Sequence, residues 1–287
     1  MKLKLLNIAL AGTLLVASQS AFAGLIVTQN NNSSDLIDTI VGSGVSASNY
    51  SITGNANAFG TFSGGISAGI GIESGIMLSS GNVADAVGPN SQDNTSTNYG
   101  TAGDADLTSL SGNNTLDAAI LNFDFISDGG DIFFNYVFAS EEYNEYANQN
   151  VNDVFGFFLD GQNIALIPGT NTPVSINTVN GGNPYGTNAQ NEQYFNNNDL
   201  QDGGPFFDIA YDGFTDVFTA SFTGLSAGAH SISLRIADAG DGAYDSTVFI
   251  QAGSFSNKET NVPEPSSLIL LALGALGIAG RRIKGKA

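Results

Sequence analysis

Short apolar bursts separated by polar turn residues fill the middle of this 287-residue chain and constrain its fold more than any other feature. The bursts are rich in Phe, Ile and Val, whereas Gly, Asn, Ser and Thr dominate the stretches between them. This composition is typical of many short strands joined by turns. In residues 230–237 the apolar side chains occupy every second position, so they face one side of a sheet. We therefore expect an all-β fold.

Ten segments have the composition and length of strands. They are residues 76–79, 120–125, 132–138, 154–159, 163–167, 174–179, 206–211, 217–222, 230–237 and 247–255. Because helical patterns are scarce between them, two packed antiparallel layers are favoured. We predict an antiparallel β-sandwich, jelly-roll-like, with at most one or two short helices. One helix is predicted over residues 35–41, with Ser34 as its N-cap.

The first 23 residues have the three parts of a secretory signal peptide. Lys2 and Lys4 form the basic start, residues 5–17 form the apolar run, and Ala21-Phe22-Ala23 is a small-x-small cleavage site. An uncleaved anchor is the alternative, but the apolar run is short and ends in a cleavage site. We expect cleavage between Ala23 and Gly24 and export of the rest of the chain.

A second apolar run lies near the C-terminus. Residues 266–280 carry no charge, and Arg281, Arg282 and two lysines follow them. As a helix this run spans roughly 22 Å, which is shorter than the roughly 30 Å hydrocarbon core of a bilayer. It is therefore a marginal membrane anchor. The basic residues stay in the cytoplasm by the positive-inside rule, so the chain before Pro263 is expected outside the inner membrane.

The middle of the chain is strongly acidic. It holds 26 of the 27 acidic residues but only Arg235 and Lys258 as basic ones, which gives a formal charge of −24. Nucleic acid is excluded as a partner because it needs the opposite charge. Two interpretations of the acidity stay open. Either it is a solvated surface that resists aggregation, or carboxylates without basic partners bind divalent cations.

The chain has no cysteine and a single histidine, His230. Disulfides, Cys-zinc sites, iron–sulfur clusters, thiol nucleophiles and multi-histidine metal sites are therefore excluded. Only oxygen-ligand metal chemistry remains, and no organic cofactor is expected.

The C-terminal tail carries a sorting pattern. Val262-Pro263-Glu264-Pro265 precedes the apolar run, and Arg281-Arg282 follows it. This arrangement resembles a PEP-CTERM sorting signal. The resemblance implies processing by an exosortase, a membrane protease of Gram-negative bacteria that make exopolysaccharide. It further implies transient inner-membrane insertion through the tail, removal of the tail, and delivery to the cell surface or extracellular matrix. A plain single-pass anchor is the alternative.

The body of the chain carries a second resemblance. Residues 138–146, 152–159 and 236–250 are similar to the choice-of-anchor L domain, and residues 75–81 also fit its pattern. That family shares one extracellular domain among proteins with different C-terminal anchors, so the resemblance implies a location rather than an activity. We divide the chain into a signal peptide (1–23), one domain (24–261) and a sorting signal (262–287).

Acidic residues concentrate in these family motifs. The candidate calcium ligands are Asp238, Asp241, Asp245, Glu141, Glu142 and Asp153. Three lie within eight residues beside turn-forming glycines, and the other three reach them if their strands pair with that loop. Close carboxylates repel unless a cation lies between them, and calcium takes about six to eight oxygen ligands. The spacing is not that of an EF-hand, and the alternative is that these side chains cap turns.

Two further features bear on function. Residues 180–204 form a long polar stretch that we expect to be a functional or mobile surface loop. Tyr143, Tyr146, Tyr185 and Tyr194 lie in polar surroundings and are candidates for stacking on sugar rings.

The sequence favours a non-catalytic surface or matrix protein that binds exopolysaccharide or another envelope glycan in an adhesive or biofilm role. One alternative is an extracellular polysaccharide-active hydrolase, which needs two carboxyl groups about 5–5.5 Å or about 6.5–9.5 Å apart across a cleft. On a strand the adjacent Glu141 and Glu142 point to opposite faces, whereas on a helix Glu141 and Glu145 would share a face, which keeps this alternative open. The other alternative is a purely structural matrix protein.

Overall fold

The computed structural model of the protein describes residues 24–260. The strands are β1 (Ile26–Gln29), β2 (Ser46–Thr53), β3 (Phe59–Ser63), β4 (Ser74–Ser79), β5 (Thr115–Ser127), β6 (Gly130–Ser140), β7 (Val154–Leu159), β8 (Gln162–Asn163), β9 (Phe195–Asn197), β10 (Gly213–Thr215), β11 (Phe218–Leu225), β12 (Gly228–Ala239) and β13 (Ser246–Gln251). The helices are α1 (Ser33–Ile40), α2 (Gly65–Ala68) and α3 (Ala105–Ser111).

The strands form two antiparallel sheets. The larger sheet has eight strands in the order β1-β3-β4-β13-β6-β10-β9, and β11 also pairs with β6. The smaller sheet has five strands in the order β2-β5-β12-β7-β8. The predicted all-β sandwich is therefore confirmed. The three short helices exceed the expected one or two, because α2 and α3 lie in Gly- and Ser-containing segments without a clear helical pattern.

Aromatic side chains of β6 and β7 form the centre of the core between the sheets. The ring centroids of Phe134 and Phe157 lie 4.8 Å apart, and those of Tyr136 and Phe157 lie 5.0 Å apart. All three side chains are at most 1% exposed. Burial of a side chain of this size contributes about 1.5–3 kcal/mol, and each aromatic pair adds about 0.5–1.5 kcal/mol. This contact is therefore a main source of cohesion between the two sheets.

The alternation predicted for β12 is confirmed. Ile232, Leu234 and Ile236 are at most 2% exposed and lie in the core between the sheets. On the opposite face, the guanidinium of Arg235 lies 5.0 Å from the ring centroid of Phe158. Since α3 packs over this face, both faces of the smaller sheet are covered here.

Helix α1 occupies almost the predicted range, but its N-cap is different. It begins at Ser33, and the side chain of Asn32 accepts the Ser34 N–H at 3.1 Å, so Ser34 is not the cap. Leu36, Ile37 and Ile40 are fully buried. The asparagine cap was missed because Asn and Ser are both good caps and they are adjacent here.

Two predicted strands, residues 174–179 and 206–211, are wrong. Val174, Ile176 and Val179 are buried in the core, but the backbone turns at Ser175. Residues 206–211 form a loop that bonds to other segments rather than to a strand ladder. In both segments most apolar side chains are buried, but strand pairing is limited to the isolated bridges Val154–Ser175 and Val87–Ile209, so composition alone suggested strands.

Other differences concern strand length. The predicted strand 163–167 is reduced to β8, and the predicted strand 247–255 ends at Gln251. Strands β1, β2, β3, β9 and β10 were not predicted, because they are short or polar. Strand β2 has the sequence SASNYSIT with five of its eight positions exposed, which is typical of a polar edge strand.

Several predictions lie outside the described residues. These are the signal peptide (1–23), the apolar run (266–280) and the sorting signal (262–287). Within residues 24–260, no helix is long and apolar enough to cross a membrane.

One end of the sandwich gathers most of the long loops. Strands β4, β6 and β12 end there, and β5, β7 and β13 begin there. We call this region the loop end and define it as residues 80–103, 141–153, 176–212 and 240–245. The expected polar stretch 180–204 is part of it.

Candidate functional site

Strand pairing brings four of the six candidate ligands together at the loop end. Ser140, the last residue of β6, pairs with Ser246, the first residue of β13. Ala237 of β12 pairs with Val154, the first residue of β7. The acidic residues beside these four positions are therefore neighbours in space, as expected if their strands pair.

We call Glu142, Asp153, Asp238 and Asp245 the inner carboxylate cluster. All four are at most 2% exposed. The Oε2 atom of Glu142 accepts the Asp153 N–H at 3.1 Å. The carboxylate of Asp153 accepts the Ala239 N–H at 2.9 Å, and also the Ser246 hydroxyl at 2.8 Å.

Asp238 differs from its neighbours because neither of its carboxylate oxygens has a hydrogen-bond partner. It is fully buried, the charge of Asp153 acts on it more strongly than that of any other residue, and the Ser80 side chain only partly offsets the resulting rise in its pKa. Burial, followed by the charge of Asp153, raises the pKa of Asp238 well above its usual value. Burial also raises the pKa of Glu142 to about 8. The cluster is therefore costly to ionise unless a cation is present.

Asp245 connects the cluster to the loop that follows β4. Its carboxylate accepts the Ser96 hydroxyl at 3.0 Å and the Thr97 N–H at 2.7 Å. A Cβ atom at Gly81 would overlap this carboxylate, so a glycine is required there. Burial raises the pKa of Asp245 to about 6.

Asp241 and Glu141 lie apart from the inner carboxylate cluster. Asp241 is exposed, and its Oδ1 atom accepts the Ala243 N–H at 3.1 Å, which is the turn-capping role. Glu141 directly follows β6, and its strongest charged neighbour is Asp212, which is outside the inner carboxylate cluster. Glu141 is 1% exposed, and neither of its carboxylate oxygens has a hydrogen-bond partner. Burial, followed by the charge of Asp212, raises its pKa to about 10.

The structure contains a second group of acidic residues that was not predicted. Asp93, Asp199 and Asp212 form it, and one ligand oxygen of each lies within 4.8 Å of the others. We call these three residues the outer carboxylate cluster. Within residues 24–260, no other group of three acidic or histidine side chains meets this distance. The three are far apart in sequence, so no spacing in the chain could have indicated them.

Two further polar residues organise the loops and also escaped prediction. The carboxylate of Asp117 accepts the N–H groups of Tyr99 at 2.9 Å and Gly100 at 3.2 Å, and also bonds to Thr101. The buried Asn198 accepts the N–H groups of Phe206 and Phe207 at 2.8 and 2.9 Å and donates to two backbone carbonyls. The loop segments that they contact lack extended strand pairing, and hydrogen bonds to Asp117 and Asn198 hold these segments in place instead.

The tyrosines proposed for sugar stacking differ in exposure. Tyr143 is fully buried and donates to the Val179 carbonyl at 2.8 Å, so this candidate is wrong. Tyr146 packs against Tyr244, and Tyr194 packs against Phe218. Tyr185 is 44% exposed and keeps its ring accessible.

A surface groove of about 410 Å³ lies beside the loop end. It is lined by Ser67, Ala68, Gly69, Pro89, Pro205, Phe206, Phe207 and Asp208. Phe206 is 60% exposed, the largest exposed fraction among the large apolar side chains described. Because Asn198 fixes the backbone of Phe206, this exposed ring lies on an ordered loop.

The fold and the clusters define an acidic, two-sheet β-sandwich module with carboxylates gathered at one end. The model of the choice-of-anchor L domain matches residues 26–256, and the chain belongs to this family. The model of the PEP-CTERM protein-sorting motif matches residues 261–283. No curated protein and no solved structure matches the chain.

These matches establish the cellular destination. The protein is exported, processed by an exosortase and displayed at the cell surface. Both families serve surface anchoring and sorting, and neither is a catalytic family.

Proposed function

We propose that this protein is a non-catalytic adhesive module that binds exopolysaccharide at the surface or in the matrix of a Gram-negative bacterium. Calcium held by the inner carboxylate cluster keeps the loop end folded. The observation that carries this proposal is Asp238, which is fully buried and has no hydrogen-bond partner on either carboxylate oxygen.

The charges around Asp238 support a cation. Within the described part of the chain, the ion pairs are His230–Asp160, Arg235–Asp104 and Arg235–Asp106, and none involves the inner carboxylate cluster. A buried carboxylate without a partner is costly, and it becomes neutral or binds a metal. The donors are carboxylates, which suit calcium rather than zinc. Asp238 and its neighbour Asp153 would hold the ion, which supplies the positive charge that the fold lacks here.

The same burial argues against a polysaccharide hydrolase. The catalytic carboxyl groups of a glycosidase flank the scissile bond in a substrate cleft. Glu142, Asp153 and Asp238 are at most 2% exposed, so a polysaccharide cannot contact them. The groove beside Phe206 contains one acidic residue, Asp208, where a paired mechanism needs two.

We assign polysaccharide binding to the groove beside Phe206. An exposed aromatic ring on an ordered loop offers a flat apolar surface, and exposed apolar patches of this kind mark binding sites. Asp208 and Ser67 line the same groove and supply hydrogen-bonding groups for sugar hydroxyls. Export and exosortase sorting deliver this surface to where exopolysaccharide is found.

The test is retention of the mature exported protein on immobilised exopolysaccharide from the producing cells, with calcium and with chelator. We expect retention in calcium, at least tenfold weaker retention in chelator, and at least tenfold weaker retention of Phe206→Ala. Ile126→Ala is the matched control, because Ile126 is 51% exposed but lies near the opposite end of β5.

Three results would overturn the proposal. Equal retention of Phe206→Ala and wild type would show that the groove beside Phe206 does not bind the polysaccharide. Release of new reducing ends from the polysaccharide would favour the hydrolase. Self-assembly of the protein without polysaccharide binding would favour a purely structural matrix protein.

A further inference from the structure

The outer carboxylate cluster joins three separate segments of the chain. Asp93 follows β4, Asp199 follows β9 and Asp212 directly precedes β10. One carboxylate oxygen of each residue lies within 4.8 Å of the others. Negative charges this close repel unless a cation lies between them, so this arrangement needs an explanation beyond packing.

Unpartnered polar atoms provide that explanation. Asp212 is fully buried, and its Oδ1 atom accepts the side-chain amide of Asn90 at 2.5 Å, but its Oδ2 atom has no partner. The Oδ1 atom of Asp93 is also buried and unpartnered. Glu141, directly after β6, is 1% exposed, and neither of its oxygens makes a hydrogen bond of regular geometry, although the Thr95 backbone and the Asp212 carboxyl group lie close to it. These free oxygens belong to the same small region.

Neutral amides hold the carboxylates in place without neutralising them. The backbone N–H of Gln201 donates to Asp199 Oδ1 at 2.6 Å, and its side chain donates to Asp93 Oδ2 at 3.0 Å. None of the ion pairs found in residues 24–260 includes a member of the cluster. Donors that orient an acidic side chain while one oxygen stays free are characteristic of the groups around a metal site.

We propose that Asp93, Asp199 and Asp212 form a calcium site, and that Glu141 lies next to it. Oxygen donors from flexible loops fit the six to eight ligands that calcium takes. Asp93 is only partly buried, which leaves room for water on the ion. This site is separate from the inner carboxylate cluster and does not depend on the proposed function.

The ion fastens the loop that carries Phe206. The carbonyl of Asp199 accepts the Gly204 N–H at 2.7 Å, and the neighbouring Asn198 holds Phe206 itself. Neutralising the three charges removes the repulsion that drives these segments apart. The loop from Asp199 to Phe206 is therefore ordered by calcium.

Two measurements on the mature exported protein test the site. The first is equilibrium dialysis against calcium alone, which counts bound ions in wild type, Asp93→Asn and Asp238→Asn. The second is the rate at which chymotrypsin cuts after Phe206, in calcium and in chelator. Asp38→Asn is the matched control, because Asp38 is an exposed acid on α1. Melting temperatures in chelator verify that each variant is folded.

We expect Asp93→Asn to bind one ion fewer than wild type. Calcium should slow cleavage after Phe206 at least tenfold in wild type, Asp38→Asn and Asp238→Asn, and less than twofold in Asp93→Asn. An unchanged ion count in Asp93→Asn, or equal cleavage of wild type with and without calcium, would overturn the site. If Asp238→Asn binds as many calcium ions as wild type while Asp93→Asn binds one fewer, calcium binding by the inner carboxylate cluster is refuted and calcium binding by the outer carboxylate cluster is supported.

Discussion

Glu141 and Glu142 are consecutive in the chain but face different carboxylate clusters. Glu142 accepts the N–H of Asp153 at 3.1 Å on the inner side. Glu141 has Asp212 as its strongest charged neighbour on the outer side. Both residues lie in the turn that follows β6, and their carboxylates have different main neighbours. A substitution at either residue therefore acts mainly on one cluster, although the charge of Asp245 also reaches Glu141.

We expect Glu141→Gln to stabilise the calcium-free protein. The folded-state pKa of Glu141 is raised to about 10. At pH 7 its carboxyl group is therefore protonated in the folded state but ionised in the unfolded state, and this difference favours unfolding. Gln removes this cost, which is at most about 4 kcal/mol at about 1.4 kcal/mol per pKa unit between the unfolded pKa and pH 7. Because the buried amide itself lacks partners, the net gain should be about 1–3 kcal/mol. Urea unfolding in chelator measures it. Glu259→Gln, at an exposed acid, should change nothing, and a destabilised Glu141→Gln would contradict the account.

In chelator, stability should fall as pH rises. The pKa values of Glu142 and Asp212 are both raised to about 8 in the folded state. A carboxyl group with a raised folded pKa costs no stability below its unfolded pKa of about 4, and the cost grows as pH rises towards the folded value. The melting temperature without calcium should therefore decrease between about pH 4 and pH 8. A flat or rising profile over this window would show that these groups ionise freely.

Asp117 should be essential for the loop that precedes α3. It accepts hydrogen bonds from three consecutive residues, 99–101, and its own backbone has a φ of 49°. Asp117→Ala leaves several donors unsatisfied and should cost about 2–3 kcal/mol. Asp117→Asn tolerates the positive φ and keeps an acceptor, so it should cost less. Urea unfolding measures both, with exposed Asp128→Ala as the control. Equal stability of Asp117→Ala and the control would refute this role.

Gly81→Ala should damage the inner carboxylate cluster through Asp245. The new Cβ atom overlaps the Asp245 carboxylate, which must move away from Ser96 and Thr97. We expect a loss of about 1–3 kcal/mol, the usual cost of overpacking. Gly112→Asn is the control, because Gly112 has open space around it and Asn accepts its φ of 77°. Urea unfolding measures the stability of both variants. If Gly81→Ala were as stable as the wild type, the Asp245 carboxylate would not lie against Gly81.

The sequence predicted the sandwich because period-2 alternation, as in β12, directly reflects a strand with one buried face. It also predicted much of the inner carboxylate cluster, since Asp238 and Asp153 lie at the ends of recognisable strands. The outer carboxylate cluster could not be predicted. Asp93, Asp199 and Asp212 lie in polar loops whose path depends on side-chain amides such as that of Asn198. Such contacts leave no periodic pattern in the chain.

Apolar composition led to wrong strand predictions where a segment is buried without forming a strand. Residues 174–179 place Val174, Ile176 and Val179 in the core from a turn, and Tyr143 is buried despite its polar neighbours. Composition indicates whether a side chain is buried, but hydrogen bonding of the backbone decides whether the segment is a strand.

Thermal unfolding of the mature exported protein in calcium and in chelator is the most direct test of the central claim. Extracellular modules bind calcium at about 10⁻⁴–10⁻³ M, so roughly 10 mM calcium should add about 1.4–2.7 kcal/mol for one site. That corresponds to a rise of about 3–11 °C for a domain of this size. We expect this rise with calcium, little rise with magnesium, and a smaller rise in Asp238→Asn. An identical melting temperature in calcium and chelator would contradict it.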